Sequence, residues 1–333
     1  MNLKMIAKEA GVSVMTVSNV INGKYGKVSD KTRERIEAII EKYNYTPNQN
    51  ARTLVGAKSR LIGMILNVNE DGYIDNPYYC NLIGMFESRL GKHDYFLLVK
   101  SIGSMREAVS VINTWNVEGV IFVGLFEENV QLIKDEINIP FICIDTFVNL
   151  EGVSCISADD AQGGYEATKY LIANGHEKIL FVSPKINING VVKERYDGYC
   201  RALREACLIQ EMQVLEVNRC TVEEGEQLAQ RIVELGVTAV FATADILAIG
   251  IMKGLEALGK CVPDDVSVIG FDNLDVSNLV TPSLTSINQQ VPQKVDVAIE
   301  TLLEMLNGQT LAGKTVKIKP DIVYRESVKK LNK

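Results

Sequence analysis

A few polar side chains at the ends of apolar runs, or in the helices and loops that follow them, are the residues of this 333-residue chain best placed to do chemistry. Asn67, with Asn69, follows the apolar run Leu61–Leu66. Asp145 ends Phe-Ile-Cys-Ile-Asp, and Asp272 ends Val-Ile-Gly-Phe-Asp. Asp245 starts a helix just after Phe241-Ala-Thr-Ala. Arg195 lies early in a helix after the loop Lys185–Val191, and Tyr78 and Tyr79 open a helix after Asp75-Asn76-Pro77. Carboxylates accept from hydroxyls, a guanidinium donates to them, and an aromatic ring covers the apolar face of a sugar. The set suits a polyhydroxylated ligand. Each acid also has a plainer reading as a helix cap or turn residue. For Asp245 the two readings stand level; for Asp272 with Arg195 the ligand reading is preferred.

Bond-breaking chemistry finds little support. Only His93 and His176 exist, far apart, and His176 in Asn174-Gly175-His176-Glu177 reads as a turn residue between a helix and a strand. The seven cysteines are scattered with no Cys-x-x-Cys pair, which favours reduced, mostly buried thiols over a disulfide framework or a zinc site. No Gly-x-Gly-x-x-Gly follows the first strand and no Walker-type loop exists. The expectation is a non-enzyme with no cofactor and no metal.

The elements that carry these residues alternate along the chain. Leu61–Leu66 reads as a strand, Tyr78–Leu90 a helix, Tyr95–Val99 a strand and Arg106–Trp115 a helix. Gly119–Val123, Phe141–Ile144 and Ser154–Ser157 follow as strands. A second set repeats the pattern. Its helices are Gly163–Ala173, Lys193–Cys207, Glu223–Leu235 and Asp245–Leu258, and its strands Ile179–Val182, Gln213–Val217, Ala239–Ala242 and Ser267–Gly270. Continuous apolar strands separated by helices predict parallel sheets covered on both faces. Two similar halves predict two lobes, with ligands at the carboxyl ends of their strands. Leu284–Ile287, the helix Val295–Leu306, and Thr315–Ile318 with Ile322–Tyr324, read as a pair of strands, complete both lobes, so the chain crosses between them more than once. The boundaries expected are 60–158 with 288–319 for the first lobe, and 159–287 with 320–333 for the second.

Met1 to Tyr45 reads differently, as three short helices. Ile6, Ala7 and Ala10 stripe the first, and Val17, Val20 and Ile21 the second; Ile36, Ile39, Ile40 and Tyr43 stripe the third. Gly11 gives the corner its freedom, and Ser13 stands where an N-cap belongs. The outward positions of the second helix are Val14, Met15, Thr16, Ser18, Asn19 and Asn22, small or polar and uncharged. Such a face suits a major groove, where base edges are met and phosphates are not repelled; an ordinary helical hairpin is the competing reading. Charge sides with the groove. Through Arg60 there are eleven bases and five acids, +6, which leaves −13 for the rest of a chain at −7. Asn48 to Ala57, within a linker at 46–59, is polar and helix-compatible with almost no core face and reads as a segment that folds on binding. No apolar run reaches the ~20 residues of a membrane span, and the first ten residues lack a signal-peptide pattern. A cytoplasmic protein is expected.

Several motifs together resemble the lactose/galactose repressor family. They are Lys4-Met-Ile-Ala-Lys-Glu-Ala-Gly-Val-Ser-Val-Met-Thr-Val-Ser-Asn-Val-Ile-Asn22, Val28-Ser-Asp-Lys-Thr-Arg33, Tyr43-Asn-Tyr-Thr-Pro-Asn48 and Ala51-Arg-Thr-Leu54, then Asn76-Pro-Tyr-Tyr, Gly175-His-Glu-Lys-Ile, Arg195-Tyr-Asp-Gly-Tyr, Val262 through Asp272, Leu284-Thr-Ser-Ile and Arg325-Glu-Ser327. The resemblance spans essentially the whole chain and settles the helix-turn-helix question.

It implies an all-α helix-turn-helix head (1–45), a hinge helix (46–59) and an α/β periplasmic-binding-protein-like body (60–333) of two doubly wound parallel-sheet lobes. It further implies a homodimer on a pseudo-palindromic double-stranded DNA operator. Val14, Met15 and Asn19 would read bases. Ser13, Thr16, Ser18, Asn22, Ser29, Thr32, Tyr45 and Asn48 would hold phosphates. Ala51 lies on the hinge, and Leu54 matches the leucine that wedges into the minor groove. Asn67, Tyr78, Asp145, Arg195, Asp245 and Asp272 would line the effector pocket, with a small sugar as the expected effector and carbohydrate-utilisation genes as the target. A corepressor, either a purine or a phosphorylated carrier protein on the lobe surface, is the alternative.

Three departures matter. Many relatives have Arg at the position of Asn19, and Asn prefers adenine where Arg reads guanine. Many have Asn-Asp where this chain has Ala244-Asp245, which removes one usual ligand contact. Some carry a C-terminal leucine-heptad helix that makes tetramers; the chain stops at Lys333, so a dimer is expected.

Overall fold

The first three helices form where each has a cap for its free backbone N–H groups. α1 (Leu3–Ala10) begins at Asn2, whose side chain accepts from the Met5 N–H, and ends at Gly11 in the left-handed region, φ 62°. α2 (Val14–Ile21) begins at Ser13 and α3 (Asp30–Lys42) at Ser29, and each serine accepts from the N–H three residues on. Their apolar stripes meet in one small core: Ile6, Ala7, Ala10, Val17, Val20, Ile36 and Ile39. Two units divide the chain, Met1–Ser59 and Arg60–Lys333. The computed structural model describes residues 2–21, 23–45, 58–67, 76–148, 150–186, 190–309 and 313–331.

The second unit is built on two sheets. In the N-lobe lie β1 (Leu61–Leu66), β2 (Phe96–Ser101), β3 (Gly119–Val123), β4 (Phe141–Ile144), β5 (Ser154–Ala158) and β11 (Thr315–Ile318), in the order β11-β5-β4-β3-β1-β2, all parallel. In the C-lobe lie β6 (Ile179–Pro184), β7 (Gln213–Val217), β8 (Ala239–Ala242), β9 (Ser267–Asp272), β10 (Thr285–Asn288) and β12 (Asp321–Val323), in the order β12-β10-β9-β8-β6-β7. Only β12 runs antiparallel to its neighbour.

Helices cover both faces of each sheet, as near-continuous apolar strands require. α4 (Pro77–Gly91) and α11 (Val291–Leu306) share one core with the N-lobe sheet. α5 (Met105–Trp115) and α6 (Glu127–Glu136) share the other. α9 (Val222–Leu235) and α10 (Asp245–Ala257) cover one face of the C-lobe sheet, and α7 (Asp160–Ala173) and α8 (Val191–Glu205) the opposite face. The chain crosses between lobes three times: between β5 and α7, between β10 and α11, and between β11 and β12.

Two features depart from the sequence reading. The strands near 315–324 are not partners of one another; β11 joins the N-lobe sheet and β12 the C-lobe sheet. The two-residue connection Lys319-Pro320 carries the chain across instead of turning it back. α6 was not among the predicted elements, because five charged residues in Glu127–Glu136 dilute its stripe to Val130 and Ile133.

The last motif of the chain is structural. Arg325 donates to the Asn278 and Asn273 side chains and to the Leu284 carbonyl, each at 2.6 Å. Ser327 receives the Thr285 N–H at 2.8 Å, and Glu326 receives the Ser283 N–H and hydroxyl at 3.0 Å. Arg325-Glu-Ser327 thus pins the chain end to the C-lobe. His176 is buried between the Thr238 hydroxyl and the Lys329 carbonyl, and burial holds its pKa below the usual histidine range.

Candidate functional site

In the head, the Ser13 and Ser29 corners are alike. Each serine hydroxyl caps its helix and lies 2.9 Å from the threonine hydroxyl three residues on, Thr16 or Thr32. Val14 and Met15 open α2 and point to solvent, 40% and 70% exposed, while Val17 and Val20 behind them are buried. Exposed apolar tips on a helix without a charged side chain are what base contact needs and what a water-facing helix avoids. Ser18 and Asn19 are half-buried on the same helix, and Tyr45 packs against the core. Lys42 binds Glu9 at 2.9 Å and ties the end of α3 to α1. Asn22, Asn48, Ala51 and Leu54 lie outside the described residues.

In the body, the carboxyl ends of both sheets face one cavity of about 310 Å³. Asn67 and Gly124 line it where β1 and β3 part, and Pro184 and Thr243 where β6 and β8 part. These are the switch points at which such sheets bind ligands. Arg195 enters from α8. Its Nε donates to Asp160 Oδ1 at 2.8 Å and its Nη1 to the Thr243 carbonyl at 2.6 Å. Its guanidinium lies 3.6 Å over the Phe271 ring. Two glycines make this reach possible: a Cβ on Gly164 would run into the Arg195 carbonyl, and one on Gly198 into the Ala161 carbonyl. α7 and α8 therefore touch backbone to backbone. Asp160 is fully buried, and burial holds its carboxyl above the usual range even with Arg195 against it.

Asp272 faces Arg195 across the cavity wall. Burial pushes its carboxyl up to about 8, against the pull of Arg195. Its φ is 115°, and Asp145, at the matching place after β4, has φ 52°. Both acids sit in backbone conformations that cost about 1–3 kcal/mol each and recur at binding sites. One oxygen of Asp272 takes the Gln289 amide. Asp145 is more fully engaged: Tyr78 donates to one oxygen, and Lys294 donates to the other at 2.7 Å. Burial, then the Asp145 carboxylate, keeps the Tyr78 phenol protonated and donating. The sequence placed Tyr78 as a sugar-covering ring and Asp145 as a free acceptor. Both line the cavity, but their polar atoms are bound to protein partners.

Asp245 is a correction. It is fully buried and is not among the cavity's lining residues. It receives the Leu274 N–H at 2.8 Å, the Ser277 hydroxyl at 2.7 Å and the Ser286 hydroxyl at 2.5 Å. With no exposed surface and these three donors, the carboxylate knots α10 to the turn after β9 and to β10. Burial raises its pKa to about 6. Cys220 lines the cavity with its thiol held protonated by burial, at about 12. Among the described residues no group of His, Cys, Asp and Glu is arranged to hold a metal ion, and no helix is long and apolar enough to cross a membrane.

Sequence reasoning missed Asp160, Gln289 and Lys294. Asp160 looks like any first-turn acid. Lys294 did leave a signal, for it occupies a core slot in the stripe Val291, Lys294, Val295, Ala298, Leu302 of α11. A lysine there needs a buried partner.

Comparison with known proteins agrees with this geometry. The profile of the bacterial regulatory proteins, lacI family, matches residues 2–48, and that of the periplasmic binding protein-like domain matches residues 168–328. The HTH-type transcriptional repressor PurR of Vibrio campbellii is 33% identical over 338 residues, covering 99% of each chain. A lac repressor dimer bound to operator and the anti-inducer ONPF has the same fold, with TM-score 0.86, 23% identity and 99% of each chain covered. A LacI family regulator from Enterococcus faecalis with bound ribose is 27% identical, with TM-score 0.71, over 82% of this chain and 100% of that one. The chain belongs to the lacI family of bacterial regulatory proteins and is a DNA-binding transcriptional regulator.

Proposed function

We propose that this protein is a cytoplasmic homodimeric repressor of carbohydrate-utilisation genes, released from a pseudo-palindromic operator by a small neutral sugar. The head at 1–45 places α2 of each protomer in a major groove, with Val14, Met15 and Asn19 at base edges and the Ser13–Thr16 and Ser29–Thr32 hydroxyl pairs at phosphates. Residues 46–59 form the hinge, with Leu54 as the minor-groove wedge. Sugar binding between the lobes of 60–333 alters the dimer and melts the hinge, a bistable element of the order–disorder kind. The protein performs no catalysis.

One observation carries the effector reading. Arg195 and Asp272 both line the cavity with donor and acceptor capacity that Asp160, Thr243 and Gln289 do not use up. A cation and an acid side by side suit a ligand whose hydroxyls both donate and accept. The ribose bound in the Enterococcus faecalis structure supports the same class. A corepressor, purine or phosphorylated carrier protein, is the second reading, favoured by the likeness to a repressor named PurR.

The test is a thermal-shift screen of the full chain against monosaccharides, disaccharides, sugar phosphates and purines. A ligand at ~100 times its dissociation constant adds about 2.7 kcal/mol of stability. A neutral-sugar hit is expected. A hit confined to purines selects the corepressor reading, and silence across the panel rejects a small sugar.

A further inference from the structure

Lys294 is an ammonium group with no exposed surface, buried behind three residues that line the cavity, Tyr78, Asp145 and Gln289. Its three N–H donors reach three acceptors: Tyr78 Oη at 3.0 Å, Asp145 Oδ1 at 2.7 Å and Gln289 Oε1 at 2.9 Å. An ammonium has three donors and no acceptor, so Lys294 is saturated and offers a ligand nothing. A buried ion pair of this kind adds little net stability, because desolvation offsets the attraction. Its value lies in what it connects. Tyr78 stands on α4 and Asp145 after β4, both in the N-lobe. Gln289 stands on the crossing between β10 and α11, and its amide donates to Asp272 at the end of β9 in the C-lobe. A single side chain therefore has its carbonyl on the N-lobe cation and its N–H on the C-lobe carboxylate.

The geometry points to Lys294 and Gln289 as a relay that reports the state of the C-lobe carboxylate Asp272 to Asp145 and Tyr78 in the N-lobe. A ligand hydroxyl that takes Oδ1 of Asp272, the oxygen Gln289 holds, competes with the Gln289 amide. Gln289 then shifts, and the Lys294 ammonium must find a replacement for its third acceptor or move. Either response disturbs the Tyr78–Asp145 contact that fixes the first turn of α4 against β4. Gln289 lies on one of the three connections between the lobes, so the relay sits where the chain itself crosses. The relay supplies the proposed effector site with a route to the other lobe and rests on that reading for its purpose, but its existence does not depend on which ligand binds.

Hydrogen–deuterium exchange on the full chain, with no ligand present, tests it. Asp272→Ala removes the acceptor from Gln289 at the C-lobe end. Exchange is expected to rise about three- to tenfold at the N-lobe segments Pro77–Leu82 and Phe141–Val148, the scale of one hydrogen bond lost. The same substitution made in a Lys294→Met or a Gln289→Met background is expected to add nothing there. Should Lys294→Met fail to fold, Gln289→Met answers alone, since it leaves the Lys294–Asp145 ion pair in place. Changes confined to the C-lobe, or an equal N-lobe increment in the Gln289→Met background, would overturn the relay. Neither result touches the effector reading, which the ligand screen decides by itself.

Discussion

Replacing Asp245 with alanine separates a structural carboxylate from a ligand-binding one. The substitution strands three donors in the C-lobe interior: the Leu274 N–H, the Ser277 hydroxyl and the Ser286 hydroxyl. Hydrogen bonds to a charged acceptor are worth about 1.5–3 kcal/mol each, which for three gives an upper range of roughly 4–9 kcal/mol. Two effects reduce it. The carboxylate already bears a desolvation penalty, seen in a pKa raised to about 6, and alanine removes that penalty. The Ser286 hydroxyl also has the Ile287 carbonyl at 3.5 Å, a second acceptor to which it can turn. A net loss of about 3 kcal/mol is expected, or roughly 6–12 °C in the melting of the body. Thermal unfolding followed by circular dichroism measures it, and titration of the folded variant with the sugar found by screening gives its affinity. Asp245→Ala should melt early yet bind the sugar as the natural protein does. Asp272→Ala should do the reverse, with little change in melting and a large loss of affinity. An Asp245→Ala protein that melts normally but no longer binds would refute this assignment of the two acids.

Other outcomes follow from the same contacts. Asp272 keeps its proton to about pH 8 in the folded chain but only to about pH 3.9 when unfolded. The fold binds more protons between those values, so this group's contribution is fully present at pH 4 and is lost as pH rises through 8; denaturant unfolding at pH 5 and pH 8.5 should show a smaller drop in Asp272→Asn, and equal drops would contradict the shift. Asn19→Ala should cost about 1–3 kcal/mol of operator binding at a single base step, measured by anisotropy on operators varied one pair at a time; a uniform loss at every position would make Asn19 a backbone contact. Gly198→Ala forces α7 and α8 apart at the Ala161 carbonyl and should destabilise by about 1–3 kcal/mol, with effector affinity lost as Arg195 leaves Asp160; retained affinity would disconnect the helix contact from the pocket.

Periodicity made the architecture legible. Val17 and Val20 behind Val14 and Met15, and the unbroken apolar runs of β1, β3 and β9, state which faces are buried before any coordinates exist. Strand ends were legible too: Asp145 and Asp272 stand at the ends of β4 and β9 and line the cavity. What a side chain does there was not. Asp145 and Asp245 each follow a short apolar run, yet one lines the cavity bound to Lys294 and the other is knotted away from it. The difference depends on partners 149 residues away in one case and 29 to 41 in the other. Local pattern carries no register over such distances. Asp160 and Gln289 sit at lobe crossings, and their roles exist only once both sheets are in place. The exception is Lys294, whose intrusion into an apolar stripe is visible in the sequence and calls for a partner.

Fluorescence anisotropy on a labelled operator, recovered by selection from random duplexes with the full chain, bears most directly on the function proposed here. An inverted repeat should emerge, its binding should weaken as the neutral sugar is added, and Asp272→Ala should bind the same DNA with no response to the sugar. Recovery of no inverted repeat, or a sugar response undiminished in Asp272→Ala, would contradict a repressor switched through this pocket.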